Sequence, residues 1–108
     1  MVDQQLYEFH ANICKALSHP KRLEILDHLK DGEKSVNELM VLVCVDQPAT
    51  SRYLGSLRHA GLVAMHRRGT NIYYELGDPK IVEACEMMRR YLLERIETMG
   101  KLAQVANT

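Results

Sequence analysis

The sequence predicts a mainly α-helical fold with one β-hairpin, its elements in the order α-α-α-α-β-β-α. Three observations predict it. Apolar residues recur at three- and four-residue steps as far as Ala60. The period changes to two across residues 62–76, once only, and returns to helical spacing from Ile81 onward.

At 108 residues the chain has room for one domain, residues 1–108, and a modest core. Apolar residues make up 46% and charged residues 26%, the balance of a folded chain. With one Phe and no Trp, the core must come from Leu, Ile, Val, Met and Tyr, and a core that small points to a partner chain. The opening MVDQQLYEFH puts acidic and polar residues where a signal peptide needs a basic start and an apolar run. No stretch approaches the roughly 18 apolar residues of a membrane span. A cytoplasmic location without a membrane partner is expected. Cys14, Cys44 and Cys85 are odd in number and scattered, which is no disulfide framework.

The first helix, over 3–17, has Asp3 as its cap and places Leu6, Phe9, Ile13 and Leu17 at helical spacing. The second opens at Ser18-His19-Pro20, where a proline in the first position loses nothing by lacking an N–H. Leu23, Leu26 and Leu29 face inward, Ile25 widens the stripe, and Asp31-Gly32 ends it. Ser35 and Glu38 form a capping box for a short third helix carrying Leu39, Leu42 and Val43. Pro48 opens the fourth, which buries Thr50, Leu54 and Leu57 and stops at Gly61. The hairpin follows, joined through Arg68-Gly69-Thr70-Asn71, with one of Tyr73 and Tyr74 packed inward. Asp78-Pro79 starts the last helix, 79–98, along which Ile81, Cys85, Met88, Leu92 and Ile96 form a seam; residues 101–108 are expected to fray.

Net charge is zero, yet its distribution is uneven. Between Gln47 and Tyr74 lie Arg52, Arg58, Arg67, Arg68, His59 and His66, and no acid. A basic stripe on a neutral chain is an electrostatic footprint that the overall charge conceals. Residues 35–60 read as a helix–turn–helix, whose second helix presents Gln47, Ala49, Ser51, Arg52 and Tyr53 near its start. Gln suits adenine and Arg suits guanine by bidentate geometry, whereas Ser and Tyr more often meet phosphates. The hairpin, 62–76, tipped with Arg67, Arg68, Thr70 and Asn71, becomes a wing along the backbone. The whole is a winged helix–turn–helix that binds double-stranded DNA.

The chain also resembles a known family, the arsenic-repressor (ArsR/SmtB) type. Ala16-Leu17-Ser18-His19-Pro20-Lys21-Arg22-Leu23-Glu24-Ile25-Leu26 is similar to its second-helix signature. Gln47 to Leu54, with Leu57 and Ala60-Gly61-Leu62-Val63, resembles its recognition helix; Arg67-Arg68-Gly69 through Tyr73-Tyr74-Glu75-Leu76 resembles its wing. The match covers about residues 9–95. It implies a homodimeric repressor, paired through its first and last helices, released from an inverted-repeat operator by a metal ion or thiol chemistry. Leu6, Phe9, Ile13, Ile81, Cys85, Met88 and Leu92 are then interface residues.

The sequence departs from the family's metal sites. Glu38-Leu39 is followed by Met40, Val41, Leu42 and Val43 where the third-helix motif has two cysteines. In the last helix Asp78 and Glu94 hold the outer positions, but Lys80 and Tyr91 replace the histidines, and a lysine cation repels a metal. That zinc site reads as lost. His10 and Cys14, four apart on one helix face, remain with Cys44 and Cys85 as candidates for a soft metal ion, arsenite or a reversible disulfide. Against this, Cys14 and Cys85 are more simply small buried hydrophobes. His19 reads as a cap and Met87-Met88 as seam filling rather than a copper site.

Two other classes fit worse. No Gly-rich phosphate loop, nucleophile elbow or His-x-x-x-His pair marks an enzyme, and Ser18 beside His19 is not a triad. A winged helix used for protein contact predicts an apolar or acidic recognition face, which Gln47, Ser51 and Arg52 do not offer.

Overall fold

Side-chain caps decide where the helices begin. In the computed structural model, which describes residues 3–106, α1 (Gln4–Ala16) starts where Asp3 Oδ1 accepts the Leu6 N–H at 2.9 Å. His19 Nδ1 accepts the Lys21 N–H at 3.0 Å ahead of α2 (Pro20–Leu29). A two-residue strand, β1 (Lys34–Ser35), leads into α3 (Val36–Val43). There Ser35 Oγ accepts from the Glu38 N–H at 3.0 Å while Glu38 Oε1 accepts from the Ser35 N–H at 3.1 Å. Those bonds from Ser35 hold the Glu38 carboxyl below the usual carboxylate range. Asp46 caps α4 (Gln47–His59) through the Ala49 N–H at 2.9 Å. β2 (Val63–Arg68), β3 (Asn71–Leu76) and α5 (Lys80–Ala106) complete the chain. Asp3 and Leu17 are thus the caps of α1 rather than turns of it.

Three helices build the core. Ile25, Leu26 and Leu29 of α2 meet Leu39 and Val43 of α3 and Leu54 and Leu57 of α4, all buried. Leu62, Val63, Tyr74 and Val82 close it from the hairpin and the start of α5. Thr50 is buried on the inner face of α4, its hydroxyl donating to the Val45 carbonyl at 3.4 Å. Leu42 does not point inward as expected but is 42% exposed. An eight-residue helix has one narrow inner face, and Leu39 and Val43, four apart, fill it.

The hairpin is the larger part of a three-stranded antiparallel sheet in the order β1-β3-β2. Lys34 pairs with Tyr74 and Ser35 with Tyr73, while β2 and β3 run in register from Val63–Leu76 to Arg68–Asn71. A strand of two polar residues shows no alternation in sequence, so the expectation of a lone hairpin missed it. Tyr74 faces the core; Tyr73 lies on the other face beneath the Arg68 guanidinium, 5.1 Å from its ring centroid.

The last helix runs past the expected end at residue 98, and residues 101–106 are helical rather than frayed. Gly100 costs a helix about 1 kcal/mol, too little to break a run flanked by Met99, Lys101, Leu102 and Ala103. The Glu97–Lys101 ion pair at 3.2 Å, four residues apart, supports that turn. Residues 107–108 of the expected tail lie outside the described residues. Val82 anchors α5 in the core, Arg89 reaches Asp27 at 3.0 Å, and Glu86 lies 3.6 Å from Lys30. From Arg90 through Gln104 every residue is exposed. No helix of the described residues is long and apolar enough to cross a membrane.

Candidate nucleic-acid interface

Helix α4 divides cleanly. Thr50, Leu54 and Leu57 point to the core, which leaves Gln47, Ser51, Arg52 and Arg58 exposed on the outer face. Ala49 is half-buried, its N–H taken by the Asp46 cap. Tyr53 is half-buried too, packed against the core with its ring 4.7 Å from that of His19. The turn before α4 is set by Cys44, whose φ of 55° is the one positive value at a non-glycine among the described residues. That left-handed residue ends α3 after Val43 and turns the chain toward Asp46.

The start of α4 and the tip of the hairpin come together. Gln47 and Ser51 line a polar recess of about 170 Å³ with Thr70, Asn71 and Ile72 and with Ser35, Val36 and Asn37 at the start of α3. Asn37 is exposed and was not singled out from the sequence; only its place two residues after the cap, on the side of α3 toward the hairpin, marks it. Arg67 and Arg68 are both exposed, but they differ. Arg68 is bonded to Glu33 and sits over Tyr73. Arg67 has no such acidic partner among the described residues.

The expected thiol residues are dispersed. Cys14 and Cys44 are exposed, and Cys14 is therefore not the buried hydrophobe its helix spacing suggested. Cys85 is half-buried, and burial pushes its thiol pKa up, against a smaller opposing pull from Arg89. His10 is exposed on α1. The one triad of neighbouring ligand-type side chains among the described residues is Glu33, His66 and Glu75, within 4.8 Å of one another. His66 Nε2 is 2.7 Å from Glu75 Oε1 and Arg68 holds Glu33, so these groups satisfy each other. At the start of α5 the Lys80 ammonium lies 3.6 Å from the Asp78 carboxylate.

A second surface is apolar. On α1, Leu6 and Phe9 are more than half exposed and Ile13 is half-buried. On α5 the stripe grades outward from half-buried Ile81 and Cys85 to exposed Met88, Leu92 and Ile96. A groove of about 840 Å³ lies between α1 and the end of α4, walled by Phe9, Ile13, Ala16 and Ala60 together with polar Asn12, Lys15, Arg22 and His59.

Two short helices joined by a tight turn, the second outward-facing and polar, with a hairpin beside its start, define a winged helix–turn–helix DNA-binding protein. The comparisons agree. A sequence model described as "Bacterial regulatory protein, arsR family" matches residues 19–64. An uncharacterized HTH-type transcriptional regulator of Mycobacterium tuberculosis, Rv0081, is 37% identical over 107 residues, 94% of each chain. The biofilm growth-associated repressor of Xylella fastidiosa is 41% identical over 73 residues, 68% of this chain and 64% of that protein. Among solved structures, that of Rv0081 superposes with a TM-score of 0.77 at 34% identity, covering 88% of this chain and 96% of the other. A homodimeric winged helix–turn–helix domain from Mycobacterium bovis, Mb0332, gives 0.78 at 28% identity, with 90% and 92% covered. The chain belongs to the arsR family of bacterial transcriptional regulators.

Proposed function

We propose that two copies pair through α1 and α5 and bind an inverted-repeat operator as a repressor, each copy setting α4 in a major groove. The observation that carries this reading is the recess that joins Gln47 and Ser51 to Thr70 and Asn71, flanked by arginines in a segment free of acids. On this reading Gln47 and Arg52 read bases, Ala49 leaves room for close approach, and Ser51, Tyr53, Arg67, Arg68, Thr70 and Asn71 meet the backbone. Half-sites about one helical turn apart follow from two-fold symmetry. The apolar faces of α1 and α5, exposed in a single copy, supply the seam through Leu6, Phe9, Ile13, Ile81, Cys85, Met88 and Leu92. The protein works in the cytoplasm and carries no catalytic site.

The test is binding to duplexes selected in vitro from a random pool, measured at several salt concentrations. Affinity should fall steeply with salt because several phosphates are neutralised, and Arg52→Ala should narrow the gap between selected and random duplex. A flat salt response, or failure to enrich any duplex, defeats the reading. Exposure of Cys14 and Cys44 favours a thiol signal: a soft metal ion, arsenite or an oxidant acting there, with His10 and Cys85 as further candidates, would release the DNA. A cysteine-free variant that still responds to those agents as wild type does rules it out.

A further inference from the structure

His19 does more at the start of α2 than close a helix. Its Nδ1 accepts the Lys21 N–H at 3.0 Å. A ring nitrogen that accepts carries no proton, so the neutral imidazole keeps its proton on Nε2. Nε2 lies 3.4 Å from the Tyr53 hydroxyl, and the two rings stand 4.7 Å apart at 39°. The Nε2–H therefore donates to the tyrosine oxygen. The tyrosine's own O–H proton is left unspent, on a residue that follows exposed Arg52 directly along α4. The same corner holds the other helix of the pair: the Lys21 ammonium is 2.7 Å from the Val43 carbonyl, the last of α3, and 3.0 Å from Glu24. One turn of α2 thus fixes both helices of the helix–turn–helix.

We infer that His19 is a positioning residue for DNA binding: the helix cap sets its tautomer, and the ring orients Tyr53 so that the tyrosine O–H donates to a phosphate of the duplex. The inference rests on the reading of α4 as the helix that enters the groove. It makes Tyr53 a backbone contact aimed from behind, not a base reader.

The experiment uses the full chain and a duplex selected in vitro by the wild-type protein. His19→Asn keeps a good cap oxygen but has neither ring nor Nε2 donor; Tyr53→Phe keeps the ring and loses the hydroxyl. Tyr53→Phe should weaken binding by roughly ten- to a hundredfold, the range of one hydrogen bond to a charged group, and His19→Asn by the same amount or less. The double variant should lose no more than the worse single, because both act through one contact. The salt dependence should stay at the wild-type slope, since a neutral donor releases no counterion. Tyr53→Phe binding as tightly as wild type, or additive losses in the double variant, overturns the inference. The nitrogen-15 spectrum of the wild-type His19 ring gives a reading that no folding defect can mimic. The Nε2–H tautomer is required, and the Nδ1–H tautomer overturns it. A wild-type protein that selects no duplex defeats the DNA reading itself, whereas tight wild-type binding with unaffected variants defeats only the role of His19.

Discussion

Single side chains separate residues that look equivalent in sequence. Arg67 and Arg68 are adjacent and both exposed, yet Arg68 already shares its charge with Glu33 and the Tyr73 ring. Neutralising Arg67 should therefore reduce the salt slope of DNA binding by about one unit, and Arg68→Ala by less; equal slopes in fluorescence anisotropy titrations would contradict this. The cysteines divide in the same way. Burial raises the Cys85 pKa and so lowers its thiolate fraction, while Cys44 is exposed at the turn. Iodoacetamide at neutral pH should label Cys44 before Cys85, read by mass spectrometry of quenched samples. Neither distinction was legible beforehand, because each depends on what another element brings: Glu33 to the hairpin, and the packing that buries Cys85, with Asp27 of α2 beside it.

At the scale of elements, the tie between α2 and α5 turns on Asp27. Burial pushes its carboxyl pKa up, but hydrogen bonding and charge from Lys30 and Arg89 outweigh this and hold it below the usual value. A lowered folded-state pKa means the contribution is complete above about pH 4, the unfolded value, and drains away as pH falls through the folded one. Asp27→Asn should flatten that acidic limb of the melting temperature by a small margin, since the pair is partly exposed and solvent-screened. An unchanged acidic limb counts against the tie. Capping signals made most elements readable: Asp3, Ser35 with Glu38, and Pro20 and Pro48 each mark a helix that is present. What stayed hidden was carried by pairing or by the lack of a stop. β1 exists because β3 offers it partners, and α5 runs on because one glycine is a weak terminator.

For the molecule as a whole, the exposed stripes of α1 and α5 are the part most dependent on a second copy. Met88→Asp places a charge in the middle of the proposed seam and should give monomers in light scattering, with DNA affinity falling as half-sites are no longer held together. A dimer that persists would move the seam elsewhere. The candidate interface was legible as a list, since outward α4 positions and the hairpin tip follow from periodicity. Its assembly was not. That Gln47 and Ser51 share a recess with Asn71 and Asn37 depends on how the sheet packs beside α3.

The uneven charge has a kinetic consequence. Four arginines and no acid in 47–74, against ten basic and fourteen acidic residues elsewhere, give this neutral chain an uneven charge with its positive side on that segment. Beyond a screening length of about 8 Å at physiological ionic strength, DNA exerts almost no pull on it. Within that distance the field applies a torque, turning the hairpin and α4 toward the phosphates before contact. Such a protein is aligned by DNA at close range rather than drawn to it from afar.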